Sequence, residues 1–269
     1  MPTPDSPRSA SEPPLDPDAL AEAAGTGWSV TLLPTAESTN AVAAADPRPD
    51  TLVVADHQTA GRGRLDRSWE TPPGSALTFT AVVDPGLADH DWPLLPLAVA
   101  LAAADGVRTA SGLPVAVKWP NDLLVPTADG GQGKVAGILL ERVTGPGGTP
   151  LALIGIGINV ALGADELPVP TASSLAIAGS SVDRTAVFAE VVPALATILD
   201  ALRAEPTAVL ARYRAECDTL GRRVNVQLPT GETFTGTATD LDRGGRLVVD
   251  GPQGSTTIGA GDVVHVRPA

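Results

Sequence analysis

An α+β architecture, in which a mixed β-sheet domain is followed by a small all-β domain, is what this 269-residue sequence predicts. Three observations predict it. From Trp28 to Val160, β-type runs dominate and only two helix-like stretches interrupt them. A long helical pattern then occupies residues 183–220, broken near Glu205-Pro206. After Gly221 the texture changes to short strands at short spacing, separated by turn residues.

Taken in order, residues 1–15 are rich in proline, serine and acidic groups, so a disordered tail is expected there. Asp16 caps a short helix that has proline at its first position and stops at Gly25. Strands follow in WSVTLL, TLVVADHQ, ALTFTAVVD, VAVKW, DLLV, KVAGILLERV and LALIGIGINV. The two interrupting helices cover about Ser38–Ala45 and Pro93–Ser111, the second apolar enough to be buried. Beyond the 183–220 helices, RRVNVQL, TFTGTATDL, GRLVVD, TTIGAG and VVHVRP make the strands of a small β-barrel, with turns at 229–231 and 243–245. The expected division is a tail over 1–15, a main domain over 16–220 and a C-terminal domain over 221–269.

Composition narrows the function. With 43% hydrophobic and 18% charged residues the chain has the make-up of a globular protein. No run of 18 or more apolar residues is apparent, which argues against a membrane span, and no basic flank leads an apolar run at the N-terminus. A single cysteine, Cys217, makes no internal disulfide, and a cytoplasmic location is the expectation. Cys217 itself reads as a small core residue near a helix end. The net charge of −13 repels nucleic acid, so an anion site must come from local positive charge. Sixteen of the 18 basic residues are arginine, and the two lysines are Lys118 and Lys134.

Local positive charge is concentrated in His57–Trp69, HQTAGRGRLDRSW. Glycines there free backbone N–H groups for an anion, and Arg62, Arg64 and Arg67 offer forked donors to phosphate or carboxylate. Trp69 is placed to close over a flat ring. A solvated basic loop or an RNA-binding patch is the plainer alternative. The Pro-Asn-Asp turn after Lys118-Trp119 contains ordinary turn formers, but a lysine on its apolar side points to a site. Asp122 reads either as a magnesium ligand or as a group that holds Lys118 in place. Lys134 enters a buried strand in which Gly137 implies close backbone approach. Gly155 and Gly157 leave room for a ligand on one face, with Asn159 beside them. They are not a dinucleotide fingerprint, since the third glycine and the following helix are absent. Ser38 needs no more than a helix-capping role. No Walker loop, GxSxG, CxxC or histidine metal spacing occurs.

Together these segments resemble the biotin–protein ligases. That pattern runs ESTN, GRGRxxRxW, KWPND, GKxxGIL and GxGxN, and this chain carries all five in order over roughly residues 28–220. The C-terminal strands resemble the family's SH3-like barrel, so the resemblance implies the biotin/lipoate ligase fold. It also implies a two-step reaction with biotin and Mg·ATP as substrates: formation of biotinyl-5′-adenylate, then transfer to a lysine of a biotin carboxyl carrier domain. Both steps develop charge on oxygens, which fixed cations stabilise without a covalent nucleophile.

By resemblance, Ser38, Thr39, Asn40, Gln58, Gly61, Arg62, Gly63, Gly137 and Ile138 bind biotin. Arg64 and Lys134 meet its carboxylate and the α-phosphate as the catalytic pair. Arg62, Arg67 and Lys118 face the ATP phosphates, Asn121 and Asp122 lie near the nucleotide or Mg2+, and Trp69 and Asn159 lie near adenine. The family commonly has glycine where Asp66 stands, and a carboxylate beside Arg64 and Arg67 is expected to weaken phosphate attraction. About 27 residues precede Trp28, too few for the winged helix of the family's repressors. The expectation is a ligase that binds neither DNA nor membrane, with monomer and weak dimer both open. A lipoate–protein ligase and a non-catalytic small-molecule or RNA-binding module are the alternatives.

Overall fold

The computed structural model describes residues 12–64, 67–228, 231–252, 254–259 and 262–265. The turn residues Pro229 and Thr230 therefore lie outside the described residues, as do Leu65, Asp66 and residues 1–11 of the expected tail. Residues 12–15 do not behave as tail. Leu15 is buried, and Glu12 accepts from the Arg184 backbone N–H at 3.0 Å and from its Nε at 3.2 Å. The cause is the fully buried Arg184 guanidinium, which also bonds Asp56 Oδ1 at 2.9 Å and Pro13 O at 2.7 Å. A buried cation demands such partners, and the N-terminal segment supplies some of them.

Helix α1 (Pro17–Ala24) starts as expected: the Asp16 carboxylate accepts from the N–H groups of Asp18 and Ala19, and Gly25 closes it at φ 75°. The main sheet contains β1 (Ser29–Leu33), β2 (Thr51–Ala55), β5 (Ala76–Val83), β6 (Ala116–Lys118), β7 (Asp122–Pro126), β8 (Gln132–Thr144) and β9 (Pro150–Asn159). Two short strands, β3 (Gly61–Arg62) and β4 (Ser68–Trp69), pair as a hairpin outside it. The order is β1-β2-β5-β9-β8-β7-β6, with β1 and β2 parallel and every other pairing antiparallel.

Strand alternation divides this sheet into two unlike faces. On β5 and β9 the side chains of Leu77, Phe79, Ala81, Ile154, Ile156 and Ile158 join the main core. That core is covered by α3 (Leu95–Ser111) and α4 (Arg184–Ala204), with α5 (Pro206–Glu216) alongside. In α4 the buried positions Val187, Phe188, Val191, Val192, Leu195, Ile198, Leu199 and Leu202 recur at helical spacing, which fixes the side it turns inward. The opposite face carries only a small apolar cluster of Ala43, Val53, Val82, Leu151 and Leu153 under α2 (Thr39–Ala45). Beyond it, the same face presents Thr78, Thr80, Gly155 and Gly157.

No run of 18 or more uninterrupted apolar residues occurs, yet two helices are apolar on average. Residues 92–111 and 184–204 are long and apolar enough to cross a membrane by length and composition alone, their most apolar 18-residue stretches having mean hydropathy 1.3 and 1.7. Alanine and leucine dominate both because they pack against the sheet and each other, the ordinary reason for an apolar helix in a layered core.

The C-terminal domain is a five-stranded antiparallel sheet of β10 (Arg223–Gln227), β11 (Thr233–Leu241), β12 (Leu247–Gly251), β13 (Gly254–Ile258) and β14 (Asp262–His265), ordered β13-β12-β11-β10-β14. Trp119 pins it to the main domain. Its buried indole N–H donates to Gly245 O at 2.9 Å, and its backbone N–H donates to Thr219 Oγ1 at 3.0 Å.

Candidate active site

The second face of the sheet opens into a cleft whose floor is glycine. Gly137 and Gly157 are register partners on β8 and β9, and Gly155 pairs with Thr80 on β5. A Cβ at Gly157 would stand 2.6 Å from the Trp69 indole, and one at Gly137 would stand 3.0 Å from the same ring and 3.2 Å from Lys134 Nζ. The close approach expected at Gly137 is therefore present. The room expected at Gly155 and Gly157 is instead taken by this chain's own side chains: Asn40 sits against Gly155, and Trp69 lies on Gly157.

Almost all of the sequence-derived candidates line this one cleft: Ser38, Thr39, Asn40, Gln58, Arg62, Gly63, Arg64, Arg67, Trp69, Lys118, Asn121, Asp122, Lys134, Gly137 and Ile138. Gly61 is buried at its rim, where a Cβ would strike Trp69 O and Gln58. Asn159 lines an adjoining groove that shares Arg67, Trp69, Lys118, Asp122 and Lys134. Asp66 lies outside the described residues, so its effect on the loop does not enter the geometry.

One end of the cleft is neutral and hydrogen-bonded. Gln58 Oε1 accepts from the Thr39 backbone N–H at 2.8 Å and lies 3.1 Å from Thr39 Oγ1. Thr80 Oγ1 lies 2.8 Å from Thr39 Oγ1 and 2.6 Å from Asn40 Oδ1. Asn40 Nδ2 donates to Glu141 Oε2 at 2.7 Å. Ser38 precedes α2 but makes no side-chain cap bond; its buried side chain belongs to the cleft, which corrects the capping role. Neither Thr80 nor Glu141 stood out in the sequence, since nothing local distinguishes them from other strand residues.

The other end is charged. Lys134 Nζ pairs with Asp122 Oδ1 at 2.6 Å, Lys118 Nζ lies 3.5 Å from Asp122 Oδ2, and Lys134 stands 5.5 Å from the centre of the Trp69 ring. Arg64 reaches Asn121 Oδ1 at 3.4 Å, while Asn121 Nδ2 donates to Ile138 O at 2.7 Å. Asp122 thus contacts both lysines, including the Lys118 that it was expected either to hold in place or to neighbour as a magnesium ligand. A divalent cation on that carboxylate would meet two ammonium groups. Among the described residues no three His, Cys, Asp or Glu side chains stand together to hold a metal. Arg62 pairs with Glu141 at 3.0 Å, the same carboxylate that accepts from Asn40.

Two polar atoms at the charged end are buried without a partner among the described residues, the Trp69 indole N–H and Asn159 Oδ1. Asn159 Nδ2 donates one hydrogen to Ser173 O at 2.9 Å, which turns its oxygen away from that carbonyl. Nearby, burial and then the Lys118 charge hold the His265 imidazole down at about 4. Its Nε2 lies 3.2 Å from the same Thr219 hydroxyl that accepts from Trp119. Cys217 is buried, and burial pushes its thiol up, as suits a core residue rather than a nucleophile.

A mixed sheet whose glycine-floored face joins a neutral hydrogen-bonding pocket to a lysine pair, with a small β-domain pinned beside it, defines a ligase-type domain for a small acid and a nucleotide. Residues 32–159 match the Biotin/lipoate A/B protein ligase family, and residues 219–266 match the Biotin protein ligase C terminal domain. The chain is 36% identical to the biotin–[acetyl-CoA-carboxylase] ligase of Mycobacterium tuberculosis, over 95% of this chain and 97% of that protein. It is 31% identical to the bifunctional ligase/repressor BirA of Bacillus spizizenii, over 79% of this chain but 65% of that longer protein. Among solved structures, the biotin protein ligase from Aquifex aeolicus in complex with biotin and ATP superposes with a TM-score of 0.73 at 26% identity, covering 89% of this chain and 99% of that one. The chain belongs to the biotin–protein ligase family.

Proposed function

We propose that this enzyme couples biotin to ATP as biotinyl-5′-adenylate and passes the biotinyl group to a lysine of a biotin carboxyl carrier domain, acting in the cytoplasm. The observation that carries this reading is the juxtaposition of a neutral ring pocket with a lysine pair on one strip of sheet. A biotin ring in the first places its carboxylate tail toward the second. Ser38, Thr39 and Gln58 offer hydroxyl and amide groups to the cyclic urea, with Asn40, Gly61, Arg62, Gly63, Gly137 and Ile138 around the ring and tail. Lipoate brings a dithiolane with neither N–H nor C=O, and would leave those buried polar groups unpaired, which costs affinity.

In the first step a biotin carboxylate oxygen attacks the α-phosphorus, the bond to the bridging oxygen breaks and pyrophosphate leaves. Lys134 and Arg64 offset the charge gathered on carboxylate and α-phosphate oxygens, while Lys118 and Arg67 meet the remaining phosphates. Asn121 orients Arg64, and Asp122 holds both lysines near their working positions until phosphate competes for them. Magnesium enters as part of the Mg·ATP substrate, carried by phosphate oxygens. The Trp69 N–H and Asn159 Oδ1 suit the acceptor and donor edge of adenine. In the second step the carrier lysine attacks the adenylate carbonyl carbon, the C–O bond to phosphate breaks and AMP departs.

A calorimetric titration tests the substrate choice. Biotin should bind and lipoate should give no heat at the same concentration; lipoate binding without biotin binding defeats the assignment.

A further inference from the structure

Thr80 has no place in the expected site, yet its hydroxyl touches two groups that do. It lies mid-strand on β5, fully buried, with its oxygen 2.6 Å from Asn40 Oδ1 and 2.8 Å from Thr39 Oγ1. The hydrogens around it can be assigned atom by atom. Asn40 Nδ2 points at the Glu141 carboxylate at 2.7 Å, which only accepts, so the Asn40 amide is oriented with its oxygen toward Thr80. That oxygen has no hydrogen, so the single Thr80 hydroxyl hydrogen goes to it. Thr80 then has only lone pairs to offer Thr39, whose hydroxyl hydrogen has two acceptors in reach, Gln58 Oε1 at 3.1 Å and Thr80 Oγ1 at 2.8 Å. The shorter contact takes it, since otherwise two hydroxyl oxygens would meet at 2.8 Å with no hydrogen between them. Gln58 Oε1 is already served by the Thr39 backbone N–H at 2.8 Å, which turns the Gln58 amino group the other way.

The consequence falls on the cleft. With its hydrogen spent on Thr80, the Thr39 oxygen faces a ligand as an acceptor, while Gln58 Nε2 faces it as a donor. An acceptor beside a donor is the complement of an N–H beside a C=O, the edge of a cyclic urea. We propose that Thr80 is a positioning residue that sets the hydrogen-bond polarity of the ring pocket, through Asn40 and Thr39, and so makes it selective for a ring bearing N–H groups. The proposal rests on the biotin reading above and adds the residue that enforces it.

Steady-state adenylation kinetics on four forms of the full chain, the wild type, Thr80→Val, Thr80→Ser and Thr78→Val, test this. Thr78 lies two residues away on the same face, but its hydroxyl bonds the Ala55 carbonyl at 3.1 Å and takes no part in the network. Thr80→Val should raise the KM for biotin about tenfold, equivalent to about 1.4 kcal/mol, and leave kcat and the KM for ATP within about twofold. Thr80→Ser, which keeps the hydroxyl, should recover the wild-type KM to within about threefold, and Thr78→Val should leave it unchanged. Competition with biotin methylated on a ureido nitrogen adds a readout that packing damage does not move: the wild-type preference for biotin over this analogue should shrink in Thr80→Val. The proposal is overturned if Thr80→Val keeps its biotin KM, if Thr80→Ser fails as badly as Thr80→Val, if Thr78→Val shows the same defect, or if the analogue preference is unaltered. Should wild type itself make no pyrophosphate from biotin and Mg·ATP, the biotin reading fails instead, which is a separate result.

Discussion

The two ends of the cleft hold their side chains by different physics. At the ring end, Thr39, Asn40, Gln58 and Thr80 are buried and joined by neutral hydrogen bonds that terminate on Glu141. At the phosphate end, Lys118 and Lys134 are paired with one carboxylate, and the Lys134 side chain is 34% exposed. Neutral buried bonds fix geometry and are indifferent to salt, whereas charged pairs that border a cleft can exchange their partner for a better anion. Selection of the acid is built into a rigid region, and the reacting charges are met by a region that can let go of its own partner.

The sharpest way to break that division is at Lys134. Lys134→Gln should lose on the order of 3 kcal/mol of transition-state stabilisation in adenylation, read as kcat/KM for ATP, and less in biotin affinity, where only the contact to the carboxylate is removed. An equal loss in biotin binding would merge the two ends. Asp122→Asn comes next. If Asp122 only orients the lysines, kcat should fall about tenfold, ATP should bind no more weakly, and excess Mg2+ should not restore the rate. Recovery with Mg2+ would return Asp122 to the role of metal ligand. Raising the salt from 0.1 to 0.5 M should then raise the KM for ATP several-fold and leave that for biotin nearly constant; parallel changes would mean that both ends are governed by charge.

The smallest effect concerns His265. Its folded value, about 4, lies below the ordinary imidazole value of 6.5, so the unfolded chain binds the extra proton between them. Its contribution is complete above pH 6.5 and is lost as the pH falls toward 4. His265→Asn should flatten that acid limb of the melting temperature, and an unaltered limb would assign the pH dependence elsewhere.

Much of this was legible in the sequence because it is local. Asp16-Pro17 and Gly25 bound α1, strand alternation places the glycines of β9 on one face, and scarcity singles out both lysines. What sequence hid is contact between distant positions. Nothing near Glu141 says that it takes Arg62 and Asn40 from 79 and 101 residues away, and nothing in a Pro-Asn-Asp turn says that Trp119 is anchored by Gly245 across 126 residues. Arg184 looked like an ordinary helix start and is instead the fully buried cation that orders residues 12–15. Thr80 was invisible for the opposite reason: threonine suits any strand, and only its two oxygen neighbours mark it.

The most direct measurement of the central claim is a single-turnover experiment with labelled biotin, Mg·ATP and a carrier domain added last. Before the carrier is added, about one pyrophosphate per chain should form with the label held as adenylate, and none should form with lipoate. On addition, the label should move to one carrier lysine as AMP is released. Pyrophosphate formed equally with lipoate, or label that never reaches the carrier, would contradict the account.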